Sequence, residues 1–188
     1  EITDELKKKG VRIYTRQRRA SLNRIGLVIY SAAIKPDHPE LVEAKKLGIK
    51  TQIYSEAVGD LTKKYFTIAV SGSHGKSTTT ALIGLILIEA GLDPTIIVGT
   101  KLKELNDNNF RLGKSRYLVL EADEYARSFH NYFPKIAVIL NIDKEHLDVY
   151  KNLAGVISGF SKYLKNVSGY IISNKQDKNI KKILFSKF

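Results

Sequence analysis

Between the apolar runs YFTIAV and ALIGLILIEAG lies SGSHGKSTTT, residues 71–80. Two glycines, a lysine and a row of hydroxyls at a strand-to-helix junction are the equipment for gripping phosphate. Gly72 and Gly75 let the backbone turn tightly and offer N–H groups to phosphate oxygens. The helix N-terminus adds donors and a partial positive charge. Lys76 reaches β- and γ-phosphates, and the Ser77 hydroxyl can ligate Mg2+. The long phosphate-loop pattern needs a glycine where this chain has Val70, so the loop is of a shorter G-x-x-G-K-S form. A polar turn whose hydroxyls only cap the helix would explain the serines, but not Gly-Lys-Ser followed by Thr78, Thr79 and Thr80.

Phosphate chemistry also needs hard oxygen ligands for a metal. YLVLEADEY supplies them where an apolar run ends: Glu121 closes the run, and Asp123 and Glu124 follow. AVILNIDKEHLD ends similarly in Asn141, Asp143, Glu145, His146 and Asp148. In open α/β sheets, ligand sites lie at the carboxyl ends of strands. Either cluster alone reads equally as a helix cap or surface charge. Two of them beside a phosphate loop favour a site. On the residues alone His146 is either a ligand or a solvated side chain, and the imidazoles of His38, His74 and His130 have no role that spacing assigns.

The elements that must hold these residues alternate between strand and helix. Strands are expected at Val11–Thr15, Gly26–Ser31, 49–54, 66–70, Thr95–Gly99, Tyr117–Glu121, Lys135–Ile142 and Gly169–Asn174. Helices are expected over DHPELVEAKKLG, capped by Asp37 and stopped by Gly48, and over SEAVGDLTKKY, capped by Ser55. A third runs from Lys76 to Ala90, apolar nearly all round and therefore expected to be buried, and a fourth covers NLAGVISGFSKYLKN. This alternation predicts an α/β fold, a three-layer αβα arrangement with a mostly parallel sheet. The expected boundary lies near Lys63–Lys64: residues 1–63 form part of a Rossmann-like domain, and 64–188 a phosphate-loop ATPase domain.

Composition narrows the classes. Cysteine is absent, which excludes disulfides and thiolate metal sites. The longest apolar stretch is too short to span a bilayer. The net charge of +12, from 31 basic and 19 acidic residues, invites a nucleic-acid reading, with basic clusters at Lys7–Arg19 and near the C-terminus. No recognition helix, aromatic RNA-binding strand or zinc spacing accompanies it. Solvated faces and a polyanionic small ligand account for the charge, and no nucleic-acid partner is expected. Methionine is absent and the chain opens on Glu1, so it reads as an excised piece of a larger protein.

At this point the sequence resembles the Mur ligase family. SAAIKPDHPELVEAKKLGI (Ser31–Ile49) is similar to the end of that family's N-terminal domain. SGSHGKSTTT resembles its G-T-H-G-K-T-T-T-T loop, EADEYARSF its E-A-D-E segment, and NIDKEHLDVY its N-I-x-x-D-H-L-D-Y segment. Order and spacing match through nearly the whole chain.

The resemblance implies an ATP-dependent amide ligase of peptidoglycan precursor synthesis in the bacterial cytoplasm. ATP phosphorylates a carboxylate and an amine displaces the phosphate. The branch most resembled uses UDP-N-acetylmuramate and L-alanine, with a murein tripeptide recycling ligase as the near alternative. A non-catalytic nucleotide-binding module is the alternative of another class. By the same resemblance Gly72, Ser73, His74, Gly75, Lys76, Ser77 and Thr78, with Asn141, hold the nucleotide, and residues 1–63 belong to a UDP-sugar-binding domain. Lys76, Glu121 and His146 are the expected catalytic residues, and Ser77, Glu121 and His146 the expected Mg2+ ligands. Ser73 and Ser77 replace threonines, Glu145 stands where the family has aspartate, and Ala126 where many relatives have another. The family's C-terminal domain, which closes over ATP, has no counterpart here, so the chain alone is expected to bind nucleotide weakly and not to complete ligation.

Overall fold

The computed structural model describes residues 2–8, 10–14 and 22–184. The chain divides into two compact units between Tyr54 and Ser55. The first contains helix α1 (Ile2–Lys8), strand β1 (Leu27–Tyr30), helix α2 (Pro39–Lys46) and strand β2 (Lys50–Ile53). The two strands pair in parallel, Leu27 opposite Lys50 and Tyr30 opposite Ile53. Helix α2 buries Leu41 and Ala44. Its N-cap is His38, whose Nδ1 accepts from the Glu40 N–H at 3.3 Å, and not Asp37 as expected. Pro39 at the first helical position places the cap one residue later than the aspartate suggested. The expected strand at Val11–Thr15 is absent: residues 11–14 are irregular, and Thr15 lies outside the described residues. So do residues 15–19 of the basic cluster.

The second unit opens with helix α3 (Tyr54–Lys64). Its inner face explains why the division falls before this helix and not at Lys63–Lys64. Ser55 does not cap it; its Oγ accepts from Asn131 Nδ2 at 2.9 Å, and Thr62 Oγ1 accepts from the Phe133 N–H at 2.9 Å. Then follow β3 (Phe66–Ser71), α4 (Lys76–Glu89), β4 (Thr95–Leu102), β5 (Asn108–Arg111), β6 (Tyr117–Glu121) and β7 (Ile136–Ile139). Helices α5 (Leu147–Tyr150) and α6 (Leu153–Leu164), strand β8 (Tyr170–Ser173) and helix α7 (Lys178–Leu184) complete the unit. The six-stranded sheet has the order β5-β4-β6-β3-β7-β8. All pairs are parallel except β4 with β5.

Alternation along β6 shows how the layers stack. Leu118 and Leu120 enter a core formed with Phe129 and with Phe160, Tyr163 and Leu164 of α6. Val119, between them, faces the opposite side, where Ile96 and α4 pack. Phe129 anchors the larger core, stacked on Tyr163 at 4.7 Å and edge-on to Phe160 at 5.1 Å. Burial on this scale contributes roughly 25 cal/mol per Å² of apolar surface.

Two expectations change here. Helix α4 is not buried all round: Thr80, Ala81 and Gly84 are buried, but Leu82 and Ile86 are 55% and 64% exposed. It packs on the sheet through one face, and its outer face has no covering layer among the described residues. The edge strand β5 was not expected. Its polar NNFR run is extended because it pairs with β4, Phe110 opposite Ile97, and that pairing also carries β4 on to Leu102. No helix among the described residues is long and apolar enough to cross a membrane.

His130 supplies a pH test of the packing. Its Nε2 lies 2.9 Å from the Gly159 carbonyl and its ring stacks on Phe129. Burial is the leading effect and lowers its pKa below 6.5, against an opposing contribution from the Gly159 bond. The folded state therefore binds fewer protons than the unfolded chain, so its contribution is present above the unfolded pKa and lost as pH falls below it. Urea unfolding from about pH 7.5 to about pH 5 should cost wild type more stability than His130→Gln.

Candidate active site

The phosphate-loop candidate is built where β3 ends. Gly72 (φ 142°) and Gly75 (φ 81°) both take backbone conformations that favour glycine. Gly75 is the N-cap of α4 and no side chain caps this helix, so the loop hydroxyls do not serve as its caps. The first N–H groups of the helix have no partner within it, which leaves them to an anion.

The loop is strapped to the end of β7. Asn141 reads the His74 backbone in both directions: Oδ1 accepts from the His74 N–H at 2.8 Å, and Nδ2 donates to the His74 carbonyl at 3.0 Å. The Ser73 N–H donates to the Asn141 carbonyl at 3.2 Å, and Ser73 Oγ accepts from the Asp143 N–H at 2.8 Å. Asn141 and Ser73 thus shape the loop, and the His74 N–H is already engaged. The His74 imidazole is 62% exposed, 3.5 Å from Asp143 and 3.9 Å from Glu145, a surface pairing of small energy.

Strand β6 delivers two carboxylates with different partners. Glu121 Oε1 accepts from Ser77 Oγ at 3.1 Å, and Oε2 from the Gly99 N–H at 2.6 Å. A Cβ on Gly99 would stand 2.8 and 2.9 Å from those two oxygens, so only glycine permits this approach. Ser77 and Glu121 form a hard-oxygen pair at the mouth of a helix, a donor set that fits Mg2+.

Glu124 is 1% exposed. Lys76 Nζ donates to its Oε1 at 3.0 Å and to the Gly72 carbonyl at 2.8 Å. His146 Nε2 lies 3.5 Å from the same Oε1. The Tyr150 hydroxyl donates to the Glu124 backbone carbonyl at 2.7 Å, and burial, with the Glu124 charge, pushes that phenol's pKa well up. Asp123, Glu124 and His146 offer ligand atoms within 4.8 Å of one another, but Lys76 already lies against both Glu124 oxygens.

The structure therefore joins Ser77 with Glu121 and joins Lys76 with His146 through Glu124. Glu121 is not part of the group that contains His146. Thr78 lies exposed in the first turn of α4. Sequence reasoning gave no role to Gly99, and counted Glu124 only as a possible oxygen ligand for a metal, not as the partner of Lys76. The second glutamate of EADE was the available signal for Glu124; the glycine ending the apolar run TIIVG was that for Gly99.

Comparison with known proteins gives the family of the chain. Residues 70–187 match the model of the Mur ligase middle domain, and residues 1–66 that of the Mur ligase family, catalytic domain. UDP-N-acetylmuramate–L-alanine ligase of Acetivibrio thermocellus is 43% identical over 97% of this chain and 39% of its own length. The ligase of that name from Caldicellulosiruptor saccharolyticus is 45% identical over 95% of this chain and 40% of its own. The chain thus spans about 40% of the length of these relatives. Among solved structures, UDP-N-acetylmuramate-alanine ligase from Thermotoga maritima superposes with a TM-score of 0.83 at 28% identity, covering 96% of this chain and 42% of that one. UDP-N-acetylmuramate:L-alanyl-gamma-D-glutamyl-meso-diaminopimelate ligase from Neisseria meningitides reaches 0.85 at 23% identity, covering 98% and 63%, a likeness of fold. Both compact units are matched by the same family, and the chain belongs to the Mur ligases.

Proposed function

We propose that the chain supplies the ATP-binding machinery of a cytoplasmic bacterial ligase that joins L-alanine to UDP-N-acetylmuramate. Residues 64–188 are assigned to ATP and residues 1–63 to part of the UDP-sugar-binding domain. The observation that carries the reading is the loop Gly72–Thr78, with uncapped helix N–H groups and a lysine aimed back over the loop. The relatives' names supply the substrates.

In the reaction, a carboxylate oxygen of UDP-N-acetylmuramate attacks the γ-phosphorus of ATP. The bond to the β,γ-bridging oxygen breaks, and ADP leaves with that electron pair. The L-alanine amine then attacks the acyl carbon, phosphate departs with the former carboxylate oxygen, and the amine loses a proton. The N–H groups opening α4 hold the phosphates, and Lys76 Nζ lies against negative charge that develops on the transferred group. Asn141 keeps the loop in register. Ser77 and Glu121, with His146 a further candidate ligand, would hold Mg2+, which when bound neutralises phosphate charge.

The direct test expresses the longest open reading frame containing this sequence and measures ADP release. Release should require both UDP-N-acetylmuramate and L-alanine. Release with the murein tripeptide in place of L-alanine would assign the recycling reaction instead, and nucleotide binding without release under either condition would support the non-catalytic module. Lys76→Ala should lower kcat by about 100- to 1,000-fold, as loss of an electrostatic donor does, with the circular dichroism spectrum unchanged. Gly99→Ala pushes Glu121 aside, and should raise the Mg2+ concentration for half-maximal activity by about 10- to 100-fold, measured by magnesium titration at fixed ATP.

A further inference from the structure

We infer that Glu124 is a positioning residue that sets Lys76 and the ring of His146 from one buried carboxylate. The inference rests on the ligase reading above for its kinetic consequence, but not for its geometry. Glu124 follows β6, Lys76 opens the helix after β3, and His146 follows β7. In the sheet, β3 lies between β6 and β7. The carboxylate reaches from one side of the phosphate loop toward the histidine on the other, and the lysine lies against it.

The residue is held at both ends. Its carbonyl takes the Tyr150 hydroxyl at 2.7 Å, and Lys76 Nζ lies 3.0 Å from each carboxylate oxygen while donating to Oε1. Oε2 is buried and has no hydrogen-bond partner of its own. A carboxylate 1% exposed beside an ammonium 13% exposed is costly to separate from its partner. This argues against Glu124 as a direct metal ligand, since a cation there would compete with the lysine for the same oxygens.

The consequence for His146 follows from the position of its Nε2, 3.5 Å from Glu124 Oε1. A ring that turns one nitrogen to a carboxylate presents the other outward, the arrangement that fixes ligand histidines. Glu124 therefore selects the Nε2–H tautomer and leaves Nδ1 for a cation or phosphate-bound group. Neutralising the carboxylate removes a negative charge from beside the phosphate site, so polyanion affinity is kept while the placement of lysine and imidazole is lost. Misplacement of reacting groups by about 1 Å costs on the order of 100-fold in rate.

Two measurements test this separately. In the full open reading frame labelled with 15N-histidine, His146, assigned by His146→Gln, should give the Nε2–H tautomer without nucleotide. An Nδ1–H tautomer or a rapidly averaging ring would overturn the inference. In the open reading frame, Glu124→Gln should lower kcat about 100-fold with KM for ATP within about 3-fold of wild type. Glu124→Asp should recover part of that loss. Unchanged kcat, or a KM that rises as far as kcat falls, would overturn it. A wild type without ligase activity would remove the functional reading, and the tautomer would still decide the role of Glu124.

Discussion

The constraint on which the site depends is the pairing of Lys76 with Glu124. Both side chains are largely withdrawn from water, and neither charge is tolerable there alone. The pair forms only if the end of β6 and the start of α4 meet at a fixed separation, which the parallel register Val70 opposite Glu121 provides. A buried ion pair is weak grounds for global stability, since desolvation offsets most of the attraction. Its contribution is positional: it fixes a phosphate-directed ammonium to a rigid sheet.

Around that pair, polar contacts close on one another across four neighbouring strands. Asn141 at the end of β7 takes both hydrogen bonds of the His74 backbone, and Glu121 at the end of β6 takes Ser77 and Gly99. Left-handed backbone at Ala126, Arg127 and His146 lies in the flanking segments. Non-glycine residues in that region carry a strain of order 1–3 kcal/mol each, which the surrounding packing must offset. Phe129 and Tyr150, both buried, supply that packing directly beneath the site. The apolar core thus holds the loop segments whose backbone is least relaxed.

Much of this was legible in the chain. Runs such as FTIAV and YLVLE are apolar and β-branched because their strands are covered on both faces, and their turn-bounded ends located Ser71 and Glu121 closely. The loop was legible because phosphate binding demands particular residue types at fixed spacing. What stayed hidden depended on partners distant in sequence. NNFR becomes a strand only by pairing with β4. Leu82 and Ile86 make α4 look internal, and no periodicity reveals which layer is present to cover them. Asn141 was expected at the nucleotide, and its two bonds to the His74 backbone are visible only in the fold. Glu124 and Asp123 are adjacent carboxylates, and only the fold makes one buried and the other exposed.

The central claim is that this loop and its lysine serve transfer of a phosphoryl group to a carboxylate. Positional isotope transfer tests it most directly. UDP-N-acetylmuramate carrying 18O in its carboxylate is turned over with ATP and L-alanine by the open reading frame that contains this sequence, and the released phosphate is analysed by mass spectrometry. An acyl-phosphate route predicts one carboxylate oxygen in each phosphate released. Unlabelled phosphate, with the label retained in the sugar nucleotide, would contradict it.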